Sequence, residues 1–293
     1  RARSALVRDS DRAGLGGEMI PRAHITHWRG SVPWADDAQV EQDLVLSRAV
    51  VEIFGDEAIA KRVVLRGGTA LHKLLISPPV RYSEDIDLVQ RDPGPIGEIL
   101  DGLRDHLDRW LGKSRRERGP GSARIAYRFD SETMPIRPLR LKIEINTREH
   151  FAVLPIQSRR LVVDSPWFRG EAEVAVYHCD ELLGTKLRAL YQRKKGRDLF
   201  DLWFALDRGL LDPEAVVTRF RRYMDHGGTP VSRAEFEANL AEKASDPAFR
   251  SDIRPLLARG VDYDADVALD RVRRDLVSIL PGGAWKGSET PGP

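Results

Sequence analysis

Hydrophobic positions along the chain change rhythm twice. Between Asp43 and Phe54, the residues Leu44, Leu46, Ala49, Val50 and Ile53 recur at near-helical spacing. Val63, Val64 and Leu65 then form a short β-branched run that stops at Arg66-Gly67-Gly68, and residues 69–75 predict a helix beginning directly after the glycine pair. A second strand is predicted at 86–89, behind the polar stretch 81–85. Ile96, Ile99, Leu100, Leu103, Leu107, Trp110 and Leu111 mark one face of an amphipathic helix. Alternation of apolar and polar residues predicts strands at 123–129 and 139–146, with shorter strand-like pieces at 161–163 and 174–177. After Cys179 the period is helical, through 180–193, 198–208, 213–224, 232–244 and 264–279. A mixed α/β part followed by an all-helical part predicts two lobes meeting near 165–180. The expected division is a disordered leader 1–18, a mixed domain 19–177, a helical domain 178–280 and a disordered tail 281–293.

Composition narrows the class. In 293 residues, 41% are hydrophobic and 31% charged, as in a soluble globular protein with a sizeable core. No run of 18 apolar residues occurs, which excludes a transmembrane helix. Residues 1–17 lack the apolar stretch of a secretory signal. The single cysteine, Cys179, excludes an internal disulfide and a cysteine zinc site, so a reducing cytoplasm is expected. Net charge is only +2, yet 38 of the 47 basic residues are Arg. Codon bias in a GC-rich genome gives that skew, and so does a demand for guanidinium forks that grip phosphate; the total does not choose between them.

Candidate chemistry concentrates in four places. On a strand, Asp85 and Asp87 project to one face while Ile86 and Leu88 point to the other. Two carboxylates so placed repel unless a cation lies between them, and hard oxygen ligands at that spacing suit Mg²⁺. Upstream, Gly67-Gly68 at a strand end lets backbone approach a phosphate, and the helix start behind it adds N–H donors. Each half has a bland reading, solvated charges for the aspartates and an ordinary turn for the glycines. Their order and closeness favour the pair acting together. Glu144, on the polar face of the strand 139–146, supplies a third carboxylate, the bland alternative being an edge-strand charge paired with Lys142. In the helical part, Lys186 and Arg193 lie seven apart on one helix face, and a lysine amid Leu and Thr needs an anionic partner. Asp198 and Asp201 fall on a side away from the buried stripe of Leu199, Leu202, Trp203 and Leu206. Asp198 also reads as a helix N-cap with Arg197 as its surface partner. Neither a Gly-x-x-x-x-Gly-Lys-Ser/Thr nor a Gly-x-Gly-x-x-Gly run is present, which argues against P-loop and dinucleotide folds.

Gly67-Gly68-Thr69-Ala70-Leu71, Arg81-x-Ser83-x-Asp85-Ile86-Asp87-Leu88, Lys142-Ile143-Glu144 and Lys186-Leu187-Arg188-Ala189-Leu190 with Arg197-Asp198-x-x-Asp201 together resemble the AbiEii/AbiGii-type nucleotidyltransferase toxins, of the DNA polymerase β-like superfamily. The resemblance covers roughly 40–210. It implies an α/β (α+β) core with a small mixed sheet and flanking helices, then an all-helical C-terminal lobe. It also implies use of an NTP with Mg²⁺, one ion or two, a cognate antitoxin, and an RNA acceptor, since some relatives modify tRNA 3′ ends. Sixteen residues separate Gly68 from Asp85, more than in minimal nucleotidyltransferases, where the separation is about ten. In this reading Asp85, Asp87 and Glu144 hold metal, and Gly67, Gly68 and Thr69 contact phosphate. Lys186, supported by Arg193, neutralises the leaving pyrophosphate, and Arg197 and Asp198 or Asp201 serve the nucleotide or orient Lys186. Ser83 shares the face of Asp85 and Asp87 if the strand begins early, so its phosphorylation would silence the enzyme; otherwise its hydroxyl serves the local turn. Basic loops at 113–118 and 193–197, with further basic patches at 159–160 and 219–222, are expected to meet an RNA backbone. Two other readings remain open: a nucleotidyltransferase of small hydroxylated molecules, and an inactive nucleic-acid-binding protein.

Overall fold

Alternating strands and an amphipathic helix need each other, because each buries one face only. In the computed structural model, residues 20–287 are described. The leader 1–18 and residues 288–293 of the tail lie outside them. Of the rest of the tail, Pro281 accepts a bond from the Arg233 N–H and the Trp285 N–H donates to Glu237. The helices are α1 (Arg22–Arg29), α2 (Asp37–Gly55), α3 (Glu57–Ala60), α4 (Gly67–Ala70), α5 (Gly97–Leu111), α6 (Cys179–Gln192), α7 (Gly196–Asp207), α8 (Pro213–His226), α9 (Arg233–Ala244), α10 (Pro247–Ser251) and α11 (Ala265–Asp275). The strands are β1 (Val63–Arg66), β2 (Asp85–Gln90), β3 (Arg115–Gly119), β4 (Ser122–Asp130), β5 (Pro138–Asn146), β6 (Gln157–Asp164) and β7 (Arg169–Val176). Among the described residues no helix is long and apolar enough to cross a membrane.

Two compact units share the chain. The first comprises residues up to Val64, Glu84–His150 and Arg160–Val174; the second comprises Leu65–Ser83, Phe151–Arg159 and everything from Ala175. Most of a seven-stranded mixed sheet lies in the first, in the order β3-β4-β5-β2-β1-β7-β6. Its middle is the parallel pair β2 and β5, with β4 antiparallel on the other side of β5 and β3 antiparallel to β4. One face carries Ala123, Ile125, Tyr127, Leu141, Ile143, Ile145, Ile86 and Leu88, all buried. Helix α5 contributes Ile99, Leu100, Leu103, Leu107 and Trp110 to the same core, and α2 is buried along most of its 19 residues. The other face of β2, β4 and β5 is polar, and there the candidate carboxylates stand.

The second unit is helical from α6 onward and also holds the α4 turn. Here the expected helix 69–75 differs in detail. It begins at Gly67 itself, which takes φ of 77°, and its last turn, Leu71–Leu75, is a π-helix. Wider turns of this kind recur at functional sites. The cluster at 113–118, expected as a loop, is instead largely strand β3. Every residue of β3 is exposed, so an edge strand of Arg and Glu shows no apolar alternation to read.

Candidate active site

In the first unit, register builds an acidic array. Asp85 pairs with Lys142 and Asp87 with Glu144 across β2 and β5, and Glu144 pairs with Arg124 across β5 and β4. Cross-strand partners share a face, so three carboxylates and two cations stand together on the polar side of the sheet. The Lys142 Nζ lies 2.9 Å from Asp85 Oδ2 and 3.4 Å from Glu144 Oε2. Arg124 donates to Glu144 at 3.2 Å and to Glu117 at 3.2 Å. Partial burial works against ionisation of Glu144, but Lys142 and Arg124 beside it hold its carboxyl below the usual range. Glu144 is thus paired with Lys142 as the bland reading supposed, though on an interior strand and not an edge.

The donor chemistry fits a hard divalent ion: three carboxylates share one face of adjacent strands, and two of them, Asp85 and Glu144, already flank the Lys142 ammonium. Among the described residues, no three His, Cys, Asp or Glu side chains close on a common point as they stand. The ammonium of Lys142 takes up the room between Asp85 and Glu144.

In the second unit a buried chain of alternating charges runs from the π-turn into α6 and α7. Asp201, fully buried, accepts a fork from Arg81 at 2.6 and 2.7 Å, meets His72 Nε2 at 2.9 Å and pairs with Lys186 Nζ at 2.9 Å. Lys186 reaches Asp198 at 3.2 Å, and Arg193 forks onto Asp198 at 2.7 and 2.9 Å. Burial disfavours both aspartate charges, but Arg81 and Lys186 pull Asp201 well below the ordinary carboxylate range, and Lys186 and Arg193 lower Asp198. Burial drops His72 to about 4, so it is neutral at physiological pH. Of the three cations in this cluster, Arg193 is the one whose side chain is half exposed.

This arrangement corrects two expectations. Asp198 and Asp201 are buried, not turned away from the core, and Asp198 sits inside the first turn of α7 with Lys195 at the N-cap. Arg193 is one residue beyond α6 in extended backbone, so it meets Lys186 through Asp198 and not along a helix face. Both aspartates hold Lys186, where the residues alone left the choice open. The backbone N–H of Arg197 donates to Asp252 at 3.3 Å. Gly68 has a steric reason to be glycine: a Cβ there would come within 2.7 Å of Arg81 Nη2 and 2.9 Å of Ser83 Oγ. Thr69 Oγ1 donates to Ser83 Oγ at 3.0 Å, and β2 begins only at Asp85, so Ser83 precedes the strand. Arg81 entered the motif Arg81-x-Ser83-x-Asp85 without a role of its own, and His72 was assigned none. The signal for His72 was a polar residue among Ala70, Leu71, Leu74 and Leu75, the kind that singled out Lys186.

Residues 48–271 match the family described as "Nucleotidyl transferase AbiEii toxin, Type IV TA system". The chain belongs to that family, and its class is nucleotidyltransferase. Its fold is similar to that of MenT4, a nucleotidyltransferase toxin from Mycobacterium tuberculosis H37Rv, with a TM-score of 0.65 at 18% identity over 89% of this chain and 91% of that one. It is also similar to JHP933 from Helicobacter pylori, with a TM-score of 0.52 at 18% identity over 82% of this chain and 90% of that one. No curated protein sequence matches the chain.

Proposed function

We propose that this protein transfers a nucleotide from an NTP to the 3′ hydroxyl of an RNA, with tRNA as the acceptor, as the toxin of a cytoplasmic toxin–antitoxin pair with a cognate antitoxin. The observation that carries this reading is that Asp85, Asp87 and Glu144 share one sheet face, with the Lys142 ammonium between Asp85 and Glu144. Those three residues would hold Mg²⁺, as one ion or two. Bound there, the metal would supply charge neutralisation on the triphosphate and orientation of the reacting groups. The acceptor oxygen attacks the α-phosphorus, the bond to the bridging oxygen breaks, and pyrophosphate leaves with the electron pair. Glu144, kept ionised by its neighbours, is equipped to take the acceptor hydroxyl proton. Lys186, with Arg193 in support, would neutralise the charge that develops on the leaving pyrophosphate, and Asp198 and Asp201 hold Lys186 in place. The N–H groups of Gly67, Gly68 and Thr69 begin a helix and are suited to phosphate oxygens, with Arg197 assisting at the nucleotide. A phosphoryl group on Ser83, two residues ahead of Asp85, would repel the same triphosphate.

The test incubates the chain with each labelled NTP, Mg²⁺ and total RNA. Label is expected in the RNA fraction for one NTP, and none with Asp85→Asn at unchanged thermal stability. Label confined to small molecules, label nowhere, or full activity in the variant overturns the reading.

A further inference from the structure

The polar face of β4 and β5 continues past the carboxylates. Along β5 the residues on this face are Arg140, Lys142, Glu144 and Asn146; along β4 they are Arg124, Ala126 and Arg128. Arg128 and Arg140 are direct cross-strand partners, and both are exposed. Like charges placed directly opposite destabilise a sheet. Elsewhere in this unit the pairing is different. Arg116 has Asp101, Arg124 has Glu144 and Glu117, Arg137 has Asp36, Arg160 has Glu171 and Arg169 has Asp164. Among the described residues, Arg128 and Arg140 have no carboxylate within salt-bridge distance. Arg115 joins them on the same face, being paired with Ala126 across β3 and β4, and Asp130 is the one acid on β4 beyond Arg128. The chain thus keeps a directly opposed pair of guanidinium groups, with Arg115 beside them, on a face where Arg124 is neutralised by Glu144 and Glu117.

We propose that Arg128 and Arg140, with Arg115 beside them, seat the phosphates of a single-stranded RNA whose 3′ end is presented to Asp85, Asp87 and Glu144. This rests on the functional reading above and adds where the acceptor strand lies. Arg140 and Glu144 are four positions apart on one strand, about 13 Å at roughly 3.3 Å per residue. That is the span of about four nucleotides stacked at roughly 3.4 Å each. A guanidinium pair at that remove suits a backbone phosphate upstream of the reacting end, because paired forks match phosphate geometry and read no base. The like-charge pair is relieved when a phosphate lies across it, so it destabilises the free chain and is satisfied in the complex.

The experiment compares the full chain with Arg128→Gln/Arg140→Gln, and with Arg221→Gln/Arg222→Gln, an exposed basic pair on α8 of the other unit. Binding of a fluorescent single-stranded oligoribonucleotide is measured across a salt series, and nucleotide transfer to total RNA and to a dinucleotide acceptor is measured separately. The Arg128/Arg140 variant is expected to lose affinity about tenfold or more, with its salt slope smaller by about 0.7 for the one phosphate that lies across the pair. It should label the dinucleotide as well as the parent does, and its melting temperature should be equal or higher. Equal loss in both double variants means diffuse charge attraction and overturns the seat. Unchanged affinity in the Arg128/Arg140 variant overturns it too, while leaving transfer to RNA standing. If the parent chain binds no RNA and labels only small molecules, the functional reading falls and the seat with it.

Discussion

Lys142 carries more than a neutral strand position requires. Its ammonium stands 2.9 Å from Asp85 and 3.4 Å from Glu144, where three carboxylates on two adjacent strands would otherwise repel. A divalent ion entering this array must displace it. Lys142→Met, which keeps the length of the side chain and removes its charge, is expected to destabilise the metal-free protein by about 1–2 kcal/mol, less than the loss of a fully buried pair. The same variant should bind Mn²⁺ more tightly by calorimetry and regain its melting temperature on adding Mg²⁺; weaker metal binding would show that Lys142 supports the metal and does not stand in for it. Glu41 gives a pH signature of its own. It is buried in α2, accepts from the Glu132 N–H at 3.0 and 3.1 Å, and burial raises it to about 7. Its pKa is raised on folding, so its stabilising contribution is complete below about 4.5 and is lost as pH climbs through about 7. Glu41→Gln should flatten that part of the curve of melting temperature against pH between 5 and 8. Of these residues, Asp85, Asp87, Glu144 and Lys186 were legible from spacing and polarity alone. Lys142 was visible only as a salt-bridge partner, because its second contact depends on the parallel register of β2 and β5.

At the scale of elements, the short α4 after β1 brings its backbone close against Arg81 and Ser83. Gly68 makes that possible, since any side chain there would push into Arg81 and Ser83. Gly68→Ala is expected to cost about 1–3 kcal/mol as an overpacked site. It should also weaken transfer by disturbing the Arg81 fork on Asp201; thermal melting and labelled transfer read the two effects separately. A stability loss with unchanged transfer would detach Arg81 from the chemistry. Periodicity located α5, α6, α8 and the strands β4 and β5 well, because each has one apolar face over at least nine residues. It missed β3, which is exposed throughout, and α1, whose only buried side chains are Ile25 and Trp28. It also put Asp198 and Asp201 on a solvent side. A helix wheel has no means of showing that Lys186, Arg81 and Arg193 arrive from other elements to neutralise them.

For the whole molecule, near-neutrality conceals segregation. Acidic residues collect on the polar face of β2 and β5, and Arg128 and Arg140 lie opposite each other further along the same face on β4 and β5. A total of +2 is compatible with a polyanionic acceptor for that reason. Expression of the chain in a bacterial host is expected to arrest growth, with Asp85→Asn relieving the arrest at equal protein level. Growth unaffected by the parent chain would count against the toxin reading.

By itself the amino-acid sequence determined the α/β order, the acidic strand, the third carboxylate, the buried lysine and the family, because those depend on period, spacing and local motif. Only the tertiary structure decided which charges meet. Within the second unit, which is drawn from separate segments of the chain, packing brings Arg81 and His72 to Asp201, and in the first unit strand register brings Lys142 to Asp85 and sets Arg128 against Arg140. Contacts between residues 120 or more positions apart, as between Arg81 and Asp201, are fixed by packing and register, and neither is written in the local pattern of any one segment.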